Sequence, residues 1–236
     1  MDVLCALKSG SRRVPMKTDQ IRVAPWLVGG FLGGFTIAAT MLLIHGVGRH
    51  GTVSALRLSA RWAYCFFWLA YVGGALATFF GPRFRPLARR GRELGLGFAA
   101  AMLVHASMVV RIYAISARPP IPLSSAIYFG VGLAFVYLMA LFSIPALTAR
   151  LSAGVRRLLF TVGMEYVALA FLRDFLHDPL GHGLKNFLAY MPFLALAFSG
   201  ALLRIALYAT RLWRWIGSFR VRANTAVPPS ITAADR

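Results

Sequence analysis

The sequence predicts an all-α membrane protein, a bundle of six transmembrane helices with both termini in the cytoplasm. Of the 236 residues, 58% are hydrophobic and only 14% are charged, whereas a soluble domain carries about 25% charged residues. The apolar residues form long blocks without amphipathic spacing, and about 20 such residues at 1.5 Å each cover the hydrocarbon core of a bilayer. Blocks of this length must be helical, because backbone groups inside hydrocarbon need partners within the chain.

Six blocks have the length of a span. In chain order they cover residues 26–45, 62–80, 94–115, 124–147, 158–176 and 186–210. They predict a six-helix transmembrane domain at 26–211, preceded by a basic cytoplasmic segment at 1–25 and followed by a disordered cytoplasmic tail at 212–236. Pro25 opens the first span, which lacks the small-residue cleavage site of a signal peptide and is expected to stay in the protein. The connection at 46–61 lies outside the membrane and could carry a short interfacial helix.

The basic residues predict the orientation. Net charge is +19, and most Lys and Arg residues lie in four segments, 1–25, 83–92, 150–157 and 211–236. The positive-inside rule places these segments in the cytoplasm, which puts both termini there and predicts a multi-pass protein of the inner (plasma) membrane. Because the clusters lie where helices meet the lipid surface, they indicate contact with the bilayer and not with nucleic acid.

Ionisable residues inside the spans are costly, so each is a candidate functional residue. These candidates are His105, Arg111, Glu165, Arg173 and Asp174, whereas Arg204 lies close enough to the cytoplasmic end to snorkel. Counted from Arg92, His105 lies about 20 Å into the membrane. Its imidazole therefore needs a partner, which is either a hydrogen bond to a neighbouring helix or an iron atom.

A short pattern around His105 resembles a known family. The stretch RRGRELGL at 89–96 followed by His105, with SARWA at 59–63, is similar to the ferric reductase-like transmembrane domain family. Within it the chain looks closest to the bacterial branch that provides haem-binding membrane subunits of methionine sulfoxide reductase systems. The stretch MEYV at 164–167 resembles a second motif, with His177 at its second histidine position and Met164 at its first. The resemblance implies haem b, with His105 and His177 binding the iron. Met164 is either a replacement ligand or a packing residue.

The resemblance implies an electron-transfer subunit, the membrane part of an oxidoreductase system. Electrons would come from quinol or a cytoplasmic flavoprotein and pass to an extracytoplasmic acceptor, because the sequence contains no flavin or nicotinamide domain of its own. Arg111 and Arg173 would pair with the haem propionates, although Arg111 could instead snorkel to the outer surface. The alternative is a non-haem transporter or assembly subunit that uses Glu165, Arg173 and Asp174.

Two further patterns predict contacts. His45, His50, His177 and His182 lie at the predicted outer surface and, with Asp178, could form a metal site, although they match no ligand motif. The glycine pairs at 29–30, 33–34 and 73–74 predict close helix packing through small residues. Cys5 and Cys65 show no pairing pattern.

Overall fold

The computed structural model describes the backbone of residues 18–181 and 184–225, and the side chains of residues 23–176 and 188–217. Within these residues every regular element is helical. The elements are α1 (Thr18–His45), α2 (Arg49–Phe79), a 3-10 helix (Pro82–Phe84), α3 (Arg85–Arg89), α4 (Gly91–Ile115), α5 (Leu123–Leu141), α6 (Pro145–Thr148), α7 (Ala153–Gly181) and α8 (Leu184–Thr225). Most of the predicted basic N-terminal segment and the end of the tail lie outside the described residues.

Five helical stretches in the described chain are long and apolar enough to cross a membrane. They are Val23–His45, Arg49–Phe79, Gly91–Ile115, Leu123–Leu141 and Leu188–Gly217. Helix α7 has 29 residues, but Glu165 lies in its middle, between arginines near its start and the Arg173–Asp174 pair. The prediction of an all-helical, multi-pass membrane protein is therefore confirmed, with five spans on the criteria of length and composition.

The largest difference from the predicted elements is at the start of α2. This helix begins at Arg49, so the connection predicted at 46–61 shrinks to a turn at 46–48. Gly46 adopts a φ of 79° in this turn, a conformation that glycine accepts without strain. Thr52 and Ser59 are fully buried, which shows that the polar start of α2 belongs to the helix bundle.

Other helix ends also differ from the predicted spans. Helix α1 begins at Thr18 and includes Pro25, whereas α5 ends at Leu141 and is followed by the short helix α6. Helix α8 continues to Thr225, so residues 212–225, expected to be a disordered tail, are helical. Hydropathy locates the apolar part of a helix, but it does not report where the backbone hydrogen bonds end.

The described residues form two compact units. The first contains the chain up to Phe67 together with Arg90–Ala170, and the second contains Trp68–Arg89 together with the chain from Phe171. Helices α2 and α7 each pass from one unit into the other.

Close glycine contacts hold the first unit together. A Cβ atom on Gly30 of α1 would overlap the carbonyl oxygen of Gly97 on α4, and one on Gly33 would overlap the Trp62 ring of α2. The Trp62 indole donates a hydrogen bond to the Gly30 carbonyl oxygen at 3.1 Å. The predicted small-residue packing is confirmed at Gly30 and Gly33, whereas Gly29 faces open space.

Helices α5 and α7 pack against each other in the same unit. The Tyr166 hydroxyl donates to the Tyr128 carbonyl oxygen at 3.0 Å, and the Tyr166 ring contacts the rings of Tyr128 and Phe135. A Cβ atom on Gly163 would lie 2.9 Å from the sulfur of Met139. This contact places the α7 residues around 163–167 against α5.

The second unit places a basic side chain between aromatic rings. The Arg204 guanidinium of α8 lies 4.8 Å from the Tyr71 ring centroid and 5.2 Å from that of Tyr208, and it donates to the Tyr208 hydroxyl at 3.0 Å. Trp68 donates to the Leu196 carbonyl oxygen at 2.7 Å. Arg204 thus makes cation–π contacts within the unit, which the snorkelling interpretation did not include.

Candidate functional site

Two polar pairs join α2 and α4. His105 of α4 contacts Ser59 of α2, and Arg111 of α4 contacts Thr52 of α2. Thr52, Ala55 and Ser59 are fully buried and lie on one face of α2, because positions i, i+3 and i+7 of a helix share a face. The helix pair therefore has a polar interface, defined here by these two hydrogen-bonded pairs and called the α2–α4 seam.

The hydrogen-bond contact at His105 involves one of its two ring nitrogens. Nδ1 lies 3.3 Å from the Ser59 Oγ, and Ser59 donates its hydroxyl proton to the Leu56 carbonyl oxygen at 3.1 Å. In the tautomer in which Ser59 keeps this bond to Leu56, Nδ1 carries the ring proton and donates it to Ser59. In this arrangement Nε2 carries the free lone pair of the neutral imidazole.

Apolar side chains surround the seam next to His105. Val104 packs in a buried cluster with Ala38 of α1 and Ala55 of α2, and partly buried Met41, Leu42 and Met108 complete it. His105 itself is half-buried. Two roles fit an imidazole that is hydrogen-bonded at one nitrogen and lies next to apolar groups. Ser59 can be its polar partner in the packed bundle, or the ring can bind a metal through its other nitrogen.

Arg111 holds the α1–α2 turn. Its Nη2 donates to the Val47 carbonyl oxygen at 2.6 Å and its Nε donates to the Thr52 hydroxyl at 3.3 Å. The same Thr52 hydroxyl donates to the Gly48 carbonyl oxygen at 2.9 Å. The structure therefore gives Arg111 a task in fixing the turn at 46–48, and the propionate contact stays a prediction.

The structure does not bring all the predicted site residues into the seam. Met164 is half-buried on α7 of the first unit, whereas Arg173 is exposed on α7 in the second unit. The backbone of His177 lies in α7, but its side chain is outside the described ones. Glu165, Arg173 and Asp174 each have an interaction partner within the protein.

No group of three or more His, Cys, Asp or Glu side chains in the described part of the chain could hold a metal ion. His45 and His50 nevertheless lie side by side, with ring centroids 5.2 Å apart. The other predicted members of the outer metal site, His177, Asp178 and His182, lie outside the described side chains. Cys65, among the described cysteines, is a free and exposed thiol.

Sequence reasoning missed the α2 half of the seam. Ser59 and Thr52 were assigned to an external connection, so neither was considered as a partner for His105 or Arg111. A signal was present, because small residues at 52, 55, 59 and 63 recur at helical spacing and small residues mark close helix contacts in membranes.

The described helices establish a multi-pass membrane protein that contacts a lipid bilayer. The resemblance to the ferric reductase-like family rests on the short stretches around His105 and Met164. Comparison of the chain with protein-family models, with curated proteins and with solved structures finds no match.

Proposed function

We propose that this protein is a haem b-binding membrane subunit that transfers electrons, and that His105 would be one of the residues that hold the iron. The observation that carries the proposal is the hydrogen bond between His105 Nδ1 and Ser59. Histidines that bind a metal almost always donate their other ring N–H to an acceptor, which fixes the ring and makes the ligating nitrogen more basic. The Ser59 hydroxyl oxygen would be such an acceptor on α2.

His105 fits the role of a ligand in two further respects. Val104, the preceding residue in the chain, belongs to a buried apolar cluster, and an apolar setting controls solvent access and reduction potential at a metal centre. His105 also lies on α4, which approaches α1 as closely as Gly30 and Gly97 allow. Such packed helices would hold a ligand residue in a defined orientation.

The second residue that would hold the iron, as the family resemblance implies, is His177, with Met164 as the alternative; both belong to α7. His177 matches the second histidine position of the resembled family, whereas Met164 stands at the first and would raise the reduction potential relative to a second histidine. Haem, when bound, supplies a one-electron carrier between a donor and an acceptor. The proposed donor is quinol or a cytoplasmic flavoprotein, and the proposed acceptor is a redox protein outside the cytoplasm.

The proposal includes six spans with both termini in the cytoplasm of a cell with an inner (plasma) membrane. At 1.5 Å per residue, α7 is about 44 Å long, which exceeds the hydrocarbon thickness of about 30 Å. Glu165, Arg173 and Asp174 of α7 have partners within the protein, and partnered charges are tolerated in spans. The segments rich in Lys and Arg then all lie on the cytoplasmic side.

The test is the absorption spectrum of the protein produced with ample haem. The wild-type protein should show a Soret band, and His105→Ala should abolish or strongly shift it while the protein still inserts in the membrane. His50→Ala, which removes a histidine from the α1–α2 turn, is the matched control and should keep the band. Among the α7 variants, His177→Ala should remove the band if His177 is the second ligand, and Met164→Ala if methionine is.

A wild-type protein without a Soret band would end the electron-transfer proposal. The transporter or assembly function through Glu165, Arg173 and Asp174 would then take its place. A band that survives in His105→Ala would keep haem in the protein but assign its ligands elsewhere.

A further inference from the structure

Two histidines that the haem proposal does not use, His45 and His50, flank the turn between α1 and α2 and lie close together. His45 is the last residue of α1 and His50 is the second residue of α2. Both side chains are exposed, and their rings meet edge to face with centroids 5.2 Å apart. From this geometry we infer that His45 and His50 together bind a divalent late transition-metal ion, such as Cu²⁺, Ni²⁺ or Zn²⁺.

The separation of the rings suits a shared ion. Metal–nitrogen bonds of about 2.1 Å at a tetrahedral angle place two imidazole centroids about 5 Å apart. The two rings already have this spacing, and a shared ion would require each exposed side chain to turn one ring nitrogen toward it. Imidazole is a preferred ligand for Cu²⁺, Ni²⁺ and Zn²⁺, with the highest affinity expected for Cu²⁺.

Contacts at three successive carbonyl oxygens, those of Gly46, Val47 and Gly48, fix the backbone of the turn between His45 and His50. Arg111 donates to the Val47 carbonyl oxygen, and the Thr52 backbone N–H and hydroxyl both donate to the Gly48 carbonyl oxygen at 3.1 and 2.9 Å. Gly51 lies so close to the Gly46 carbonyl oxygen that a Cβ atom would overlap it. Because the backbone of the turn is fixed, binding an ion costs the rotamer entropy of the two side chains but little backbone entropy.

Neighbouring positive charges act against the site. Arg49 stands next to His50 in the sequence, and the guanidinium of Arg111 reaches the same turn. Two like charges near a bound cation raise its free energy, and the repulsion is screened by salt. Metal affinity should therefore increase with ionic strength and should not fall when Arg49 is neutralised.

The test is isothermal titration of the full-length, detergent-solubilised protein with Cu²⁺, Ni²⁺ and Zn²⁺, after removal of any histidine affinity tag. Loss of an outer hydrogen-bond partner alone lowers metal affinity by about 10- to 100-fold, so His45→Gln and His50→Gln should each weaken binding by at least about tenfold. Arg49→Gln is the matched control and should bind the ion at least as tightly as the wild type. Electron paramagnetic resonance of the Cu²⁺ form should show nitrogen hyperfine coupling in the wild type and a reduced coupling in either histidine variant.

Equal affinities in the wild type and in both histidine variants would overturn the site. Binding that is lost in His182→Gln but kept in His45→Gln would also overturn it, because the ion would then be held elsewhere. The haem spectrum is a separate readout, so failure of the metal site leaves the haem proposal unaffected.

Discussion

A polar side chain in the middle of a membrane helix is stable only when a second helix offers it a partner, and His105 shows how α2 does this. Its Nδ1 reaches Ser59, whose own proton is taken by the Leu56 carbonyl oxygen. A hydrogen bond between membrane helices is worth about 0.6 kcal/mol on average and about 1.7 kcal/mol at most. The bond is thus too weak to explain by itself why an imidazole stands at this depth.

The His105–Ser59 contact predicts a measurable coupling. A double-mutant cycle of His105→Ala and Ser59→Ala in haem-free protein should give a coupling free energy of about 0.6 kcal/mol. Unfolding in mixed detergent micelles, followed by circular dichroism, measures the four stabilities. Ser54→Ala is the control, because the Ser54 hydroxyl donates to the His50 carbonyl oxygen of its own helix and its coupling to His105 should be near zero. A Ser59 coupling no larger than that of Ser54 would contradict the assigned hydrogen bond.

Arg111 shows that the position of a residue along a span does not identify its hydrogen-bond partner. The sequence predicted a propionate partner or a snorkelling side chain, because both suit an arginine near the end of a span. The structure gives its donors to Val47 and Thr52 instead. These partners could not be foreseen while residues 46–61 were taken as an external connection.

At the scale of the helices, the apolar centres were predictable and their ends were not. The third predicted span, 94–115, agrees closely with α4 (Gly91–Ile115), because charged residues precede it and the apolar block ends with the helix. The start of α2 was missed because Thr52 and Ser59 are polar by composition, although both are buried against neighbouring helices. Hydropathy reports how apolar the residues of a segment are. A helix that contacts other helices through polar and small residues therefore has the low hydropathy of a loop.

The interpretation of the α1 glycines as packing contacts is correct at Gly30 and Gly33 but not at Gly29, and this difference gives a prediction with an internal control. In Gly30→Ala the new methyl group would overlap the Gly97 carbonyl oxygen, and such overpacking costs about 1–3 kcal/mol. In Gly29→Ala the methyl group meets open space, and alanine is favoured over glycine in a helix by about 1 kcal/mol. Thermal unfolding in detergent should show a lower Tm for Gly30→Ala and an unchanged or higher Tm for Gly29→Ala. Equal shifts in both variants would show that α1 and α4 do not meet at Gly30.

For the whole molecule, the number of helices that cross the bilayer depends on whether α7 is a span. Five stretches meet the length and composition of a span, whereas α7 combines sufficient length with several charged residues. The number of spans fixes the relative position of the ends, because an even number leaves them on one side and an odd number on opposite sides. The charge distribution favours the even number, since it places every segment rich in Lys and Arg in the cytoplasm.

Reporter fusions can decide between the two topologies. A reporter that is active only in the cytoplasm and one that is active only outside it should be fused next to Lys8 and Thr232, and inserted at Ser152 and His182 on either side of α7. With six spans, both ends and Ser152 should report the cytoplasm and His182 the outside. If α7 does not cross, Ser152 and His182 report the same side and the two ends report opposite sides.

Glu165→Gln makes α7 more apolar without changing its length, so it should leave a six-span pattern unchanged. A switch of the His182 signal in that variant would show that Glu165 keeps α7 out of the bilayer in the wild type, and the six-span proposal would then be wrong.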